Sequence, residues 1–368
     1  MPSVRKSPGS RTKARLPAAG KATPRRRAPT GKLGGTATSH DVAALAGVSR
    51  SAVSRTFTPE ASVSAKTRRK VLAAASRLGY QPNVIARSLI TRRSRLIGLI
   101  MGEWENPFYT TMLRGFTERL GARDYRVMLL ASRSAPDVDA AMRMLMQYRV
   151  DGIVLVSASP GEAAANEYLR TGGRLVLINR EPDRLAATGI ACDNPRVGRE
   201  LAERMLAAGY ERFAMLRGDP MVKSGQQRAM AFRAGIENLG RGRIVIDHGG
   251  ESGYAAGRAF GNAMMDLDTR PDAILCSTDI AAIGVLDGLR LDRRIDVPGE
   301  VGVVGFGDIP AASWASHELA TVRLPIARMI DESVQVLLAG SPSTAGGTIL
   351  VGADIVWRGS VRQPDGTR

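Results

Sequence analysis

The chain has 368 residues, 44% hydrophobic and 24% charged, a globular composition long enough for two or three domains. Its formal net charge is +17, and the excess is local: residues 1–95 hold 21 Lys and Arg against two acids, Asp41 and Glu60, which leaves 31 of the 52 bases and 33 of the 35 acids for residues 96–368. Such an asymmetry points to a nucleic-acid or anionic-surface partner for one end of an ordinary soluble body.

The two cysteines, Cys192 and Cys276, form no CxxC, and the histidines are only His40, His248 and His317. Neither a disulfide framework nor a metal site is expected, and no cofactor is implied. No apolar run approaches the ~18–20 residues of a membrane helix. The basic start has no apolar segment behind it of the kind a signal peptide needs, so a cytoplasmic, nucleoid-associated protein without membrane contact is expected.

Residues 1–37 are rich in Arg, Lys, Pro, Gly, Ala and Thr and lack acids. They cannot bury enough apolar surface to offset the entropy of ordering, which predicts a disordered basic tail. Residues 38–82 read as three short helices. Thr38 with Asp41 three residues on forms a capping box, Ser49 caps a second helix beyond the break at Gly47, and Ser64 caps a third that stops at Gly79. Leu45, Val48, Val53 and Phe57 have the spacing to pack the first two helices together. Residues 83–95 form a basic connector with room for one short helix between Val84 and Ile90.

From Leu96 the pattern changes to apolar runs of strand length alternating with amphipathic helical stretches. Strands are predicted at 96–101, 126–131, 152–157, 174–179, 189–192, 212–216, 243–247, 273–277 and 301–306. Helices are predicted at 107–122, 195–208, 225–239, 252–265 and 280–290. This alternation predicts parallel sheets covered on both faces. Nine strands are more than one sheet comfortably holds, so two smaller sheets with a cleft between them are expected. The run from Gly302 to Gly307 lacks the third glycine and the following acid of a dinucleotide fingerprint. No phosphate loop, nucleophile elbow or HExxH is present, and no enzyme is expected.

A helix, a tight turn and a second helix within about 20 residues is helix-turn-helix geometry, whose second helix enters the major groove. That helix would expose Arg50, Ser51, Ser54 and Arg55. Both arginines can grip a guanine edge in a bidentate contact, and the Ser49 cap turns a helix N-terminus toward phosphate.

The stretches DVAALAGVS at 41–49, VSR at 53–55, VSAKTR at 63–68, LGYQPN at 78–83 and ARSL at 86–89 together resemble the lactose-repressor (LacI/GalR) family. The resemblance continues through IGL at 97–99, VDG at 150–152, STD at 277–279 and VGF at 304–306, and spans Thr38 to about Ser360. It implies base reading by Arg50, Ser51 and Arg55, and a connector that becomes a hinge helix when a homodimer meets pseudo-palindromic double-stranded operator DNA. It also implies that Leu89 wedges into the minor groove, where an apolar side chain unstacks a base step. Thr58 stands where the family often has a phosphate-touching Asn.

The resemblance further implies the fold. An all-α helix-turn-helix headpiece is joined to an α/β core like a periplasmic binding protein, with two parallel-sheet subdomains around a small-molecule effector, usually a sugar or related metabolite. The core is expected over 96–362, with 96–192 plus 301–323 in one subdomain, 193–300 plus 324–362 in the other, and a tail at 363–368. Ligands of such sheets sit at the carboxyl ends of the strands. The candidates there are Phe108 and Tyr109 as stacking surfaces, Asn179 and Arg180 after a strand, Arg228 at a loop-to-helix junction, Asp279 of the STD motif, and His248 and Trp314 as walls. Gly307 replaces an acid that often follows Gly-Phe in the family. No leucine heptads follow Trp357, so a homodimer without a tetramerising coiled coil is expected. The alternative is a small-molecule binding protein of the same α/β body with only non-specific nucleic-acid affinity; an RNA-binding role is disfavoured because no aromatic-rich strand occurs in 1–95.

Overall fold

The computed structural model describes residues 37–58, 61–81, 93–102, 106–132, 134–220, 222–251, 253–339 and 346–364, apart from the side chain at 135. The tail expected before residue 37 and the hinge helix with Leu89 lie outside the described residues. The chain divides into two compact units, residues 1–83 and 84–368.

In the first unit, α1 spans Ser39–Ala46, α2 Arg50–Thr56 and α3 Ala65–Leu78. Local chemistry sets each end. The Thr38 amide donates to Asp41 Oδ2 at 2.9 Å while the Asp41 amide donates back to Thr38 Oγ1, closing the capping box. Gly47 ends α1 in the left-handed region at φ 64°, which a residue without Cβ adopts freely. Ser49 Oγ accepts the Ala52 amide at 3.2 Å and Ser64 Oγ the Thr67 amide at 3.2 Å. The core is Val42, Ala43, Ala46, Val53, Val71, Ala74 and Ala75, with Val48, Phe57 and Tyr80 partly buried against it. Leu45, expected in this core, is instead 44% exposed. The small residues let the helices approach so closely that Val42 and Ala46 fill the seam, and Leu45 is turned to the outer face.

The second unit holds two six-stranded sheets. In the first, β1 (Leu96–Met101), β2 (Arg126–Ala131), β3 (Gly152–Val156), β4 (Arg174–Ile178), β5 (Thr188–Cys192) and β11 (Gly347–Val351) run in the spatial order β11-β5-β4-β3-β1-β2. In the second, β6 (Arg212–Gly218), β7 (Arg243–Gly249), β8 (Ala273–Cys276), β9 (Gly302–Gly307), β10 (Ala320–Arg323) and β12 (Asp354–Val356) run β12-β10-β9-β8-β6-β7. Pairing is parallel throughout except between β10 and β12. Helices separate the parallel strands: α4 (Pro107–Gly121), α5 (Ala135–Gln147), α6 (Glu162–Arg170), α7 (Asn194–Ala207), α8 (Lys223–Leu239), α9 (Tyr254–Met264), α10 (Asp279–Asp287) and α11 (Ile326–Leu338). The central strands are buried on both faces, as their unbroken apolar runs LIGLIM and GIVLV require, whereas edge strand β2 is only half-buried.

The expected division of the core is corrected. Strands β9 and β10, expected in the first subdomain, pair with β8 and with each other in the second sheet. Helix α11 and strand β11, expected in the second, belong to the first: β11 lies alongside β5 in register Gly347↔Thr188. A Cβ on Gly115 of α4 would collide with Ile330 of α11, and one on Gly152 of β3 with Leu337, so α11 is seated hard against that sheet. The chain therefore crosses between subdomains at three places, between residues 192 and 194, 323 and 326, and 351 and 354. Each sheet gains its last neighbour from a returning segment. Strands β10, β11 and β12 have no counterpart among the predicted strands.

Candidate nucleic-acid interface and ligand cleft

On α2, Ala52, Val53 and Thr56 are buried, and Arg50, Ser51, Ser54 and Arg55 are exposed together. These four occupy positions i, i+1, i+4 and i+5 of one helix face. Ser49 serves the helix as its cap and shares a 3.0 Å hydrogen bond with Ser51 Oγ. Arg55 is only loosely held, its Nε donating to the Ser51 carbonyl at 3.4 Å. The Thr58 hydroxyl donates to the Ser54 carbonyl at 2.9 Å, a local bond that takes up the proton an Asn amide would offer to phosphate. The face is thus two guanidinium groups and two hydroxyls on a rigid support, the donor set that reads base edges and backbone.

Each sheet of the second unit runs in the order 2-1-3-4-5-6 of its own strands, which creates a switch point beside β1 in one and β6 in the other. The loops leaving the carboxyl ends of β1, β3, β4, β6, β8 and β9 meet across an open cleft. Its walls combine apolar surface from Phe108, Tyr109, Val222, Phe306 and Leu324 with the polar groups of Asn106, Ser157, Asn179, Ser224, Arg228 and Thr278. Ser157 and Asn179, at the tips of β3 and β4, both hold positive φ, 54° and 58°, which turns their side chains into the opening. Asn179 Nδ2 and Ser157 Oγ are 3.4 Å apart. At the rim, Lys223 donates to Asp183 at 3.0 Å and Gln227 to Glu181 at 3.2 Å, linking the start of α8 to the loop after β4.

Of the residues expected at the effector site, Phe108, Tyr109, Asn179 and Arg228 line the cleft. Arg180 is buried beside it, where desolvation lowers its pKa and the nearby Tyr109 and Asp183 oppose that shift. His248 and Trp314 do not line it. His248 is exposed and stacks on Phe260, and Trp314 is exposed and stacks on His317. Strand β7 is an edge strand and Trp314 follows a single helical turn at 310–313, so both are carried away from the strand ends. The sequence reading misses Ser157, Ser224, Gly225, Thr278, Phe306 and Ile309. Their common signal is position, at the carboxyl end of a strand, one or two residues beyond it, or in the first turn of the next helix.

Asp279 is almost wholly buried and turned away from the opening. Its Oδ2 accepts the Ile309 amide at 2.8 Å and its Oδ1 the Thr321 hydroxyl at 2.5 Å, so it ties α10 to the segments after β9 and on β10. A Cβ on Gly305 or Gly307 would press on its carboxylate. Burial pushes this carboxyl from the ordinary 3.8 up to about 6, despite the two hydrogen bonds that lower it. A folded-state value above the unfolded one means that stability present near pH 4 is lost as pH rises through about 6. Asp279→Asn keeps one acceptor for Ile309 and offers Nδ2 to Thr321 Oγ1. Relative to the parent, this variant is therefore expected to gain stability between pH 4.5 and 7, by about 2 kcal/mol. Urea melts of both proteins at the two pH values measure this; a difference that stays flat or shrinks with pH contradicts it.

Arg228 is buried with Nη1 donating to the Ser277 carbonyl at 2.7 Å and its guanidinium 4.1 Å from the Phe306 ring centroid. Burial depresses its pKa, and Cys192, Tyr109 and Asp279 work in the opposite direction. Among the described residues no group of His, Cys, Asp and Glu has the arrangement of a metal site, and no helix is long and apolar enough to cross a membrane.

Residues 38–83 match the bacterial regulatory proteins of the lacI family, and residues 202–361 match a periplasmic binding protein-like domain. The HTH-type transcriptional regulator reg1 of Streptomyces lividans is 30% identical over 346 residues, covering 89% of this chain and 97% of that protein. A crystal structure of the lac repressor dimer bound to operator and the anti-inducer ONPF shares the fold with a TM-score of 0.81 at 24% identity, over 89% of this chain and 100% of that one. A structure of the transcriptional regulator CelR with cellobiose has a TM-score of 0.64 at 25% identity, over 88% and 99% of the two chains. With the headpiece, the two-sheet body and nearly the full length all matched, the chain belongs to the lacI family of bacterial regulatory proteins.

Proposed function

We propose that this regulator reads a pseudo-palindromic operator as a homodimer through Arg50, Ser51, Ser54 and Arg55 of α2, with Ser49 capping the reading helix, and that a small polar metabolite in the cleft sets its affinity for DNA. The observation that carries the reading is the α2 face: four polar side chains, two of them cationic, presented together by a helix whose other side is the domain core. Paired half-sites follow from a two-fold dimer. Leu89, outside the described residues, is proposed as the minor-groove wedge of the connector. The cleft supports the second half of the reading. It joins two subdomains across three chain crossings, so a ligand that touches both walls favours one relative placement over another and changes operator affinity by its differential affinity for the two states. The structure of CelR with cellobiose supports a sugar or related metabolite as the class of ligand.

Selection of the full-length protein against random duplex oligonucleotides tests the reading. An enriched site with inverted half-sites about one helical turn apart is expected. Affinity for that site should fall steeply and log-linearly with salt, by roughly 0.9 powers per phosphate contacted. Enrichment of no site, with binding that follows only ionic strength, would favour a small-molecule binding protein carrying a merely basic arm.

A further inference from the structure

We infer that the effector is an anionic sugar, a sugar acid or a sugar phosphate, whose negative group docks on Arg228 where three helix N-termini converge. The inference rests on the cleft being the effector site and names the chemical class of its ligand.

Arg228 is the central observation. It lines the cleft and is buried, yet its Nε has no hydrogen-bond partner and no described carboxylate is paired with it. Among the described residues it donates to one backbone carbonyl and lies over the face of Phe306. A guanidinium removed from water without a hydrogen-bonded counter-charge is costly, and a folded protein tolerates it where an anion completes the set. Asp279, the acid within the family's pattern, acts on the guanidinium only through space: its oxygens accept from Thr321 and Ile309 and neither is hydrogen-bonded to Arg228. The other charged lining residues are engaged as well, Arg217 with Asp247 and Gln226, and Asp219 with partners of its own.

The backbone contributes in the same direction. The first turn of α4 supplies Phe108 and Tyr109 to the cleft, that of α8 supplies Ser224 and Gly225, and the N-cap of α10 is Thr278. Each helix N-terminus carries a partial positive charge, and α8, 17 residues long, begins without a side-chain cap. Gly225 seats that start hard against β6, since a Cβ there would overlap the Arg217 carbonyl. A buried guanidinium with an unused donor, beside an uncapped helix start, fits a carboxylate or phosphate better than a neutral hydroxyl, since a hydrogen bond to an anion is roughly twice as strong. The rings of Phe108, Tyr109 and Phe306 leave an apolar surface for the sugar face.

Matched pairs test the class of ligand: glucose with glucuronate, galactose with galacturonate, and glucose with glucose 6-phosphate. Each is titrated into the full-length protein at constant ionic strength and followed by thermal shift and calorimetry. The expected result is that at least one acidic member raises the melting temperature and binds tenfold or more tightly than its neutral parent. Arg228→Gln should erase that preference, and Arg228→Lys should keep part of it. The uronate and phosphate arms show which anion is preferred. Neutral parents that bind as well as or better than their acids overturn the inference and leave the effector cleft standing. If neither class binds, both fall. The comparison of pairs needs only the parent protein, so a variant that does not fold leaves the inference exposed to refutation.

Discussion

Arg55→Ala is expected to lower affinity for the selected operator by roughly 30-fold to 10⁴-fold, because a bidentate arginine–guanine contact is worth about 1–3 kcal/mol and a dimer loses it twice. Affinity for unrelated duplex should change far less, since phosphate contacts supply non-specific binding. The headpiece should stay folded. Arg55 is exposed, and among the described residues its one hydrogen bond is the long contact to Ser51. The neighbouring Val53, in contrast, is fully buried in the headpiece core. Titrations of operator and scrambled duplex at two salt concentrations, with a melt of the same preparation, separate these effects. Selectivity retained by a folded Arg55→Ala protein would remove this side chain from base reading.

Gly284→Val should be the most damaging single change in the second subdomain. Helices α9 and α10 touch backbone to backbone. A Cβ on Gly284 would overlap the Tyr254 carbonyl oxygen, and one on Gly257 the Ala281 carbonyl oxygen. Neither obstacle is a side chain that can swing aside, so α10 has to move, and with it the Ala281, Ala282, Val285 and Leu286 side chains packed in the core beneath. Overpacking that merely shifts side chains costs about 1–3 kcal/mol, and a shift of two main chains costs more. A loss of several kcal/mol is therefore expected, enough to unfold a domain of ordinary stability, typically about 5–15 kcal/mol. Gly121→Ala, where an added Cβ meets nothing within 4 Å, is the control and should melt close to the parent. A Gly284→Val protein that melts with the parent would show that the helix pair can separate without loss. The same displacement would carry Thr278, the N-cap of α10, away from the cleft wall. Ligand binding should then fail even in any fraction that remains folded.

Most of the headpiece is legible in the sequence because its determinants are local. A capping box closes over four residues, a serine cap reaches three residues ahead, and Gly47 stops a helix by its own backbone freedom. A face of polar side chains at i, i+1, i+4 and i+5 is fixed by helical period alone, which is why Arg50, Ser51, Ser54 and Arg55 emerge together. Leu45 departs from its expected place because which apolar residue turns inward depends on how closely α1, α2 and α3 pack, and small residues let them pack very closely.

In the body, the sequence determined the existence and extent of β1 to β9 to within about two residues, since an unbroken apolar run has few alternatives to a strand covered on both faces, but it did not disclose the short strands β10, β11 and β12. Only the tertiary structure decided which sheet β9, β10, α11 and β11 join. Every central strand of both sheets carries the same kind of apolar run, so nothing local to 301–323 or 324–362 names its neighbour; that is settled by Ile330 and Leu337 filling the space above glycines 115 and 152. The cleft has the same character. Its walls come from residues between 106 and 324, and a side chain enters the opening or leaves it according to where its strand lies in the sheet. Phe108 and Asn179 follow central strands and reach the cleft, while His248 lies on an edge strand and does not. Short-range order is set by forces acting over three or four residues, and the sequence displays those directly. The choice among equally apolar partners is a property of the whole packed core, and no single segment carries it.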